Sequence, residues 1–248
     1  MPFELFALLT AMGFALSAIF IRLGVEGSNP QTGNLIVVLI NFIAFALALL
    51  LVDFSCIAPS WFWAAFLGAG TASPALSLFF MYRAIPLIGV ASTSSLGNTN
   101  AVFAAIWAFA LLGERPSVGL WTGIVFVVGG VLLISGGGER KGQLHHYGLP
   151  ILSAVFFGLA HTLRKVGFQG VDSLIFGGFL QATAACIAVP AVLQFTHRSQ
   201  NYLFPHRSVK YFSLAGASLA GAQYCILTAI NMGTVSQVAP LVATTPLF

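Results

Sequence analysis

Long apolar stretches, each about the length of a membrane-crossing helix, recur along the whole chain. A helix needs roughly 20 residues to cross about 30 Å of hydrocarbon at about 1.5 Å per residue. The stretches predict spans near residues 3–22, 35–52, 61–82, 87–112, 117–136, 147–168, 173–195 and 211–232, with a ninth beginning at Val235. Their apolar positions do not alternate as in barrel strands, so helices are the expected element.

One predicted span contains an unusually polar stretch. Residues 91–102 read ASTSSLGNTNAV and place seven Ser, Thr and Asn side chains inside the run from Leu87 to Leu112. These side chains could bond to neighbouring helices, or one side of the helix could line a cavity that water reaches. Polarity around most of the helix circumference favours the cavity for Asn98 and Asn100, whereas helix bonding is favoured for the small hydroxyl residues taken singly.

The amino-acid composition indicates the class of protein to which this pattern belongs. Of the 248 residues, 58% are hydrophobic and 6% are charged, against about 25% charged residues in soluble domains. The ten Lys and Arg and six Asp and Glu lie at or near the ends of the predicted spans, where a charge avoids the bilayer centre. The sequence therefore predicts an integral membrane protein. Its net charge of +4 is small and spread over loops, which argues against a nucleic-acid partner.

The chain also repeats itself. Residues 83–103 lie over 228–248 with six identities in 21 gapless positions, and 15–24 lie over 157–166. The overlap predicts a polytopic bundle of two five-helix repeats, residues 1–137 and 147–248. An odd number of spans per repeat inserts the second one in the opposite sense, as in many secondary transporters. Because Phe248 pairs with Phe103, we expect ten helices in the complete protein, of which this chain holds eight full spans and part of a ninth.

Polar side chains inside other spans are candidates to join the same cavity. His161 is the only strongly ionisable group predicted well inside a span, and a structural role and a solute- or proton-binding role both remain open for it. Gln223 and Tyr224 lie side by side in one span. No Asp or Glu lies deep in a span, so coupling through a buried carboxylate has no carrier. Further intramembrane polar residues are Asn41, Tyr82, Gln181 and Asn231.

The sequence LLGERPS at 111–117 follows the fourth span. With the repeat, it resembles the EamA family of the drug/metabolite transporter superfamily, whose repeats typically end this span with Gly-Glu-Arg, here Gly113, Glu114 and Arg115. We expect a solvated turn there. The resemblance implies a ten-helix permease of a bacterial inner (plasma) membrane that moves a small organic metabolite, such as an amino acid or related compound, by alternating access. The resulting candidate substrate-binding residues are Asn98, Asn100, Ser94, His161, Gln223, Tyr224, Ser17, Ser77 and Gln237, with Ser73 and Thr162 on the same spans.

The sequence is compatible with other functions and with either orientation in the membrane. A passive channel or facilitator shares the cavity with a carrier. An intramembrane enzyme would need a nucleophile with a base, paired carboxylates or a metal. His145 and His146, beside Glu139, could bind a metal, but adjacent loop histidines are usually solvated. The expected partners are a small-molecule solute and the lipid bilayer, with no cofactor and no metal. Charge counting favours an external amino terminus, whereas the resemblance implies a cytoplasmic one.

Overall fold

The computed structural model describes residues 3–51, 60–115, 117–135, 144–196 and 203–248, and within these ranges the chain forms helices and turns without a strand. Eleven α-helices follow one another there: α1 Phe3–Val25, α2 Pro30–Leu49, α3 Trp63–Gly70, α4 Leu78–Ile88, α5 Val90–Gly97, α6 Asn100–Leu112, α7 Val118–Ser135, α8 Gly148–Gly167, α9 Leu174–Thr196, α10 His206–Met232 and α11 Val235–Val242. The prediction of an all-helical fold is confirmed.

Six helical stretches in the described part of the chain are long and apolar enough to cross a membrane: Phe3–Val25, Pro30–Leu49, Trp63–Ile85, His145–Gly167, Leu174–Gln194 and His206–Met232. Large apolar side chains on these helices point outward, and Leu47 and Ile187 are 60% and 70% exposed. Exposed apolar surfaces on helices of this length are typical of helices that face lipid. The chain is an integral multi-pass membrane protein.

Several spans are not regular helices. The prediction of one continuous span over 87–112 is wrong, because α5 ends at Gly97 and α6 begins only at Asn100. Between α3 and α4 the chain forms a π-helical segment, Thr71–Ser77, around Pro74. Proline lacks an N–H and crowds the preceding turn, which widens or kinks a helix. Gly89, with a φ of 82°, separates α4 from α5, since glycine adopts this conformation without strain.

Small residues let the helices approach closely around the centre of the bundle. A β-carbon at Gly13 in α1 would lie 2.8 Å from the Ala222 side chain in α10. A β-carbon at Gly158 in α8 would lie 2.6 Å from the Ala104 backbone nitrogen in α6 and 3.0 Å from the Asn100 carbonyl oxygen. Neither position has room for a larger residue without moving a helix. These contacts fix α1 beside α10 and α6 beside α8.

Two opposite charges hold the junction between α10 and α11. Lys165 Nζ donates to the Gly233 carbonyl oxygen at 2.8 Å, at the end of α10. The Glu114 carboxylate accepts from the backbone N–H groups of Val235 at 3.0 Å and Ser236 at 3.1 Å, at the start of α11. Each charge compensates the helix dipole at its own end. The sequence predicts a solvated turn at Glu114. Gly113 and Arg115 are exposed, as expected for such a turn, but the Glu114 side chain is half-buried and caps a helix.

Candidate functional site

The helix break at Asn98 and Thr99 lies inside the polar stretch. Thr99 Oγ1 donates to the Leu96 carbonyl oxygen at 2.6 Å, and Asn100 Nδ2 donates to the Gly97 carbonyl oxygen at 3.2 Å. Short polar side chains that bond to nearby carbonyls compete with helix continuation, which explains why the helix stops here. The Asn100 Oδ1 atom has no partner among the described residues.

A second break follows α11 at Ala243 and Thr244, after which Thr245–Leu247 form one turn of 3-10 helix. Thr244 Oγ1 donates to the Leu241 carbonyl oxygen at 2.6 Å, and the Thr244 backbone nitrogen donates to the same oxygen at 3.2 Å. At the first break, Thr99 bonds to Leu96 in the same way, with its backbone nitrogen 3.1 Å from that oxygen. Thr244 follows Thr99 by 145 residues, which is the offset between the two sequence segments that resemble each other.

Both breaks line a cavity of about 150 Å³, here called the smaller cavity. The Ser77 and Ser153 hydroxyl groups, 2.8 Å apart, also belong to its wall. Its wall thus combines amide and hydroxyl groups without a charged side chain among the described residues. The polar residues on it are Ser77, Ser94, Asn98, Asn100, Ser153 and Thr245.

A second cavity of about 220 Å³, here called the larger cavity, lies next to the smaller one. Ser17, Asn34, Ser73 and Gln223 provide its polar wall, and the rest of the wall is apolar. Ser17 Oγ donates to the Ala215 carbonyl oxygen at 3.0 Å, so only its lone pairs remain for another group.

Three apolar side chains separate the two cavities. Phe14, Leu78 and Phe157 belong to the walls of both. The Phe157 ring also packs edge-on against the His161 ring, with the ring centroids 5.0 Å apart. His161 therefore lies behind Phe157 and is absent from both cavity walls.

A buried chain of hydrogen bonds leads from α8 through α9 to the wall of the larger cavity. Arg164 Nη1 contacts His161 Nδ1 at 2.9 Å, and Arg164 Nε donates to Gln181 Oε1 at 2.7 Å. Gln181 Nε2 then donates to Gln223 Oε1 at 2.6 Å. A β-carbon at Gly70 would collide with the Gln181 carbonyl oxygen, so this glycine allows α9 to approach. We call these four residues, His161, Arg164, Gln181 and Gln223, the buried relay.

The donor properties of arginine fix the direction of every bond in this relay. A guanidinium group has only donors, so His161 accepts at Nδ1 and carries its proton on Nε2, which makes it a neutral imidazole. Within the described residues, His161 Nε2 and Arg164 Nη2 are buried without a partner. The relay therefore contains one positive charge and no carboxylate from the described part of the chain.

The sequence places Arg164 near a span end, but the structure buries it completely. Two adjacent cations, Arg164 and Lys165, suggest a hydrated helix terminus, yet only Lys165 reaches the end of a neighbouring helix. Arg164 follows His161 by three residues, which puts both on one helix face. That spacing is the sequence signal for the pair. Its burial depends on the packing of α9, which the spacing does not reveal.

Some predicted residues are not brought to either cavity. Tyr224 is 45% exposed on the outer side of α10, and Gln237 and Asn231 are also exposed. Asn41 and Thr162 are buried away from both cavity walls. The Tyr82 side chain lies outside the described residues. Ser17, Ser77, Ser94, Asn98, Asn100 and Gln223 do line the cavities.

The histidine pair considered for a metal lies away from these cavities. The rings of His145 and His146 have centroids 4.1 Å apart, and Glu139 lies outside the described residues. Among the residues that the structure does describe, no three His, Cys, Asp or Glu side chains form a metal-binding group.

The interrupted helices of this membrane protein surround two interior cavities that carry polar side chains on their walls. Residues 1–136 match the EamA-like transporter family, to which this chain belongs. It is similar to an "Uncharacterized transporter in cobO 3'region" from Sinorhizobium sp, with 29% identity over 138 residues, which are 53% of this chain and 95% of that protein. A protein of known crystal structure superposes with a TM-score of 0.77 on 99% of this chain and 84% of its own, at 16% identity, which shows a shared fold alone. The protein is a membrane transporter and not an enzyme.

Proposed function

We propose that this transporter is a carrier for a small organic metabolite, such as an amino acid or related compound, and that it works by alternating access. One observation carries the proposal: two helix breaks, separated by 145 residues, line the same cavity. Discontinuous helices at a polar cavity are typical of substrate sites in secondary transporters, because irregular backbone is tolerated in a membrane only where it is shielded from lipid.

The two-repeat organisation is part of this proposal. Residues 1–137 and 147–248 each supply one break, and the matching bonds of Thr99 and Thr244 support their equivalence. We take the second repeat to be inverted relative to the first, so that rocking of one against the other exposes the cavity to each side in turn. Because the relative from Sinorhizobium sp is bacterial, we also place the protein in a bacterial inner membrane.

The cavity walls set the kind of solute. Volumes of about 150 and 220 Å³ are below the roughly 300–1,000 Å³ of sites for drug-sized ligands, so the solute is small. Asn98 and Asn100 offer amide groups, while Ser94 and Ser77 offer hydroxyl groups. Ser17 and Gln223 act in the larger cavity, and His161 acts indirectly through the buried relay. Tyr224 and Gln237 have no role in this proposal.

Counterflow in proteoliposomes tests the carrier mechanism. Vesicles containing the purified protein are loaded in turn with labelled amino acids and nucleosides, and efflux is measured with and without unlabelled solute outside. A carrier shows faster efflux when solute is present outside, because the loaded site reorients. A passive channel or facilitator shows no acceleration, and that result would contradict alternating access.

The site assignment is tested with Asn98→Leu. Leucine fits the break, where Asn98 has ordinary right-handed backbone angles, but it removes the amide from the cavity. We expect flux to be lost while membrane insertion is retained. Asn231→Leu, at an exposed position of α10, is the matched control and keeps full flux. Undiminished transport by Asn98→Leu would remove this residue from the site.

A further inference from the structure

The buried relay gives the larger cavity a fixed polarity. Arg164 can only donate, so Gln181 turns Oε1 towards it and Nε2 towards Gln223. Gln223 accepts with Oε1, which leaves its own Nε2 as the free end of the relay. No described protein group accepts from that nitrogen, and Gln223 belongs to the wall of the larger cavity. The relay therefore presents a hydrogen-bond donor to the cavity.

The charge behind this donor is not neutralised within the described part of the chain. Arg164 is fully buried, and no Asp or Glu among the described residues bonds to it. A buried cation without a counter-charge is unfavourable in a membrane, and an anion nearby stabilises it. The amide groups of Gln181 and Gln223 align with their positive ends towards the cavity. An anion placed there interacts favourably with both the charge and the aligned dipoles.

We propose that the larger cavity binds the carboxylate group of the solute, with Gln223 Nε2 donating to it and Arg164 acting from behind as the positioning residue. The assignment deepens the proposed carrier function and rests on it. A carboxylate suits the wall better than a phosphate, because one amide and one remote charge match a single negative charge, whereas phosphate recognition normally uses several donors. The apolar remainder of the wall fits the organic part of the solute.

Thiol labelling tests the polarity of the cavity without knowledge of the natural solute. Ser73→Cys is introduced in the full chain after Cys56, Cys186 and Cys225 are replaced by alanine. The purified protein is then reacted with anionic sulfonatoethyl methanethiosulfonate and with cationic trimethylammonioethyl methanethiosulfonate. The reference variant is Leu203→Cys, at an exposed position. We compare the labelling rate of the anionic reagent with that of the cationic reagent. This ratio should be about tenfold higher for Ser73→Cys than for the reference variant, which is the low end of the rate enhancement in charged clefts.

Charge variants assign this preference to Arg164. Arg164→Met should abolish the preference at Ser73→Cys, whereas Arg164→Lys should retain it. Arg22→Met is the matched control, because Arg22 is exposed and pairs with Arg164 in the sequence overlap; it should change nothing. Any of three results would overturn the proposal: the thiol of Ser73→Cys reacts faster with the cationic reagent, it keeps its preference for the anionic reagent in Arg164→Met, or it reacts with neither reagent.

Protection of the thiol tests the solute class. Sodium isovalerate should slow labelling of Ser73→Cys, and the neutral isovaleramide of the same shape should not. Gln223→Leu removes the donor from the cavity but leaves the bond between Arg164 and Gln181 in place. This variant should therefore abolish protection by isovalerate without the risk of unfolding that an Arg164 substitution carries. Isovalerate without effect, or amide protection of equal size, would overturn the carboxylate assignment. If the cavity thiol prefers the anionic reagent but external solute does not accelerate efflux, the carrier mechanism is rejected and the assignment of the anion-binding cavity is retained.

Discussion

The Glu114 carboxylate accepts a hydrogen bond at 3.0 Å from the backbone N–H of Val235, 121 residues further along the chain. The same carboxylate accepts from the Ser236 backbone at 3.1 Å and from its hydroxyl group at 2.7 Å. The first turns of a helix contain N–H groups without helical partners, and Glu114 supplies those partners for α11. The turn after α6 therefore positions the helix that leads to the second break.

Removal of this cap should destabilise the protein. Glu114→Ala leaves the first N–H groups of α11 without an acceptor, and we expect the free energy of unfolding to fall by about 0.5–2 kcal/mol. Thermal denaturation of the purified protein measures the change. Arg115→Ala, in the same turn and exposed, should unfold at the wild-type temperature. Equal midpoints for the two variants would argue against the cap.

Gly158→Ala should separate α8 from α6. The added β-carbon meets two backbone atoms, Ala104 N at 2.6 Å and Asn100 O at 3.0 Å, and backbone atoms cannot rotate away. We expect a loss of about 1–3 kcal/mol, as for other overpacked cores, together with lower flux, because Asn100 lines the smaller cavity. Gly221→Ala, where a β-carbon meets nothing within 4 Å, should retain or slightly raise stability. A wild-type midpoint for Gly158→Ala would contradict this close approach.

The buried relay should respond non-additively to mutation. Gln181→Leu deprives the buried Arg164 charge of its 2.7 Å partner, and a hydrogen bond to a charged group is worth about 1.5–3 kcal/mol. The double variant Arg164→Met/Gln181→Leu removes the charge as well, so we expect it to be more stable than Gln181→Leu alone. Denaturation midpoints of both single variants and the double variant form the cycle. Gln194→Leu, exposed near the end of α9, is the control, and additivity would show that the relay is not coupled.

The two helix breaks should be equally sensitive to loss of their threonine hydroxyls. Thr99→Val and Thr244→Val each remove a 2.6 Å bond to a carbonyl at the break, worth about 0.5–1.5 kcal/mol. Similar losses at both positions are expected if the breaks are equivalent. Thr122→Val removes the same kind of bond from an exposed position in α7 and should have a smaller effect. Losses confined to one break would contradict their equivalence.

Hydrophobic patterning predicts the class of fold because the bilayer imposes helix length and apolar surface directly on the sequence. It does not predict the break at Asn98 and Thr99. Residues 87–112 have enough apolar character for a span, and the interruption depends on side-chain bonds to Leu96 and Gly97. Asn98 and Asn100 were nevertheless identifiable, because polarity on most sides of a helix is hard to place against lipid.

The site beyond this stretch depends on tertiary packing. Gln223 and Tyr224 are neighbours in sequence, but successive helical residues point about 100° apart. Only the position of α10 against α1 and α9 shows that Gln223 faces the cavity and Tyr224 faces outward. Arg164 is hidden in the same way, since its burial requires α9 to bring Gln181 against it.

Thr99 and Thr244 complete both helix breaks with bonds inside their own segments. The bonds that hold both breaks therefore do not involve a bound molecule. If the cavity groups bind the solute as proposed, the unloaded transporter already holds them in place, and binding loses little affinity to rearrangement of the protein. The affinity of this site should therefore depend more on the chemical match between the solute and the cavity wall than on how easily the wall changes conformation.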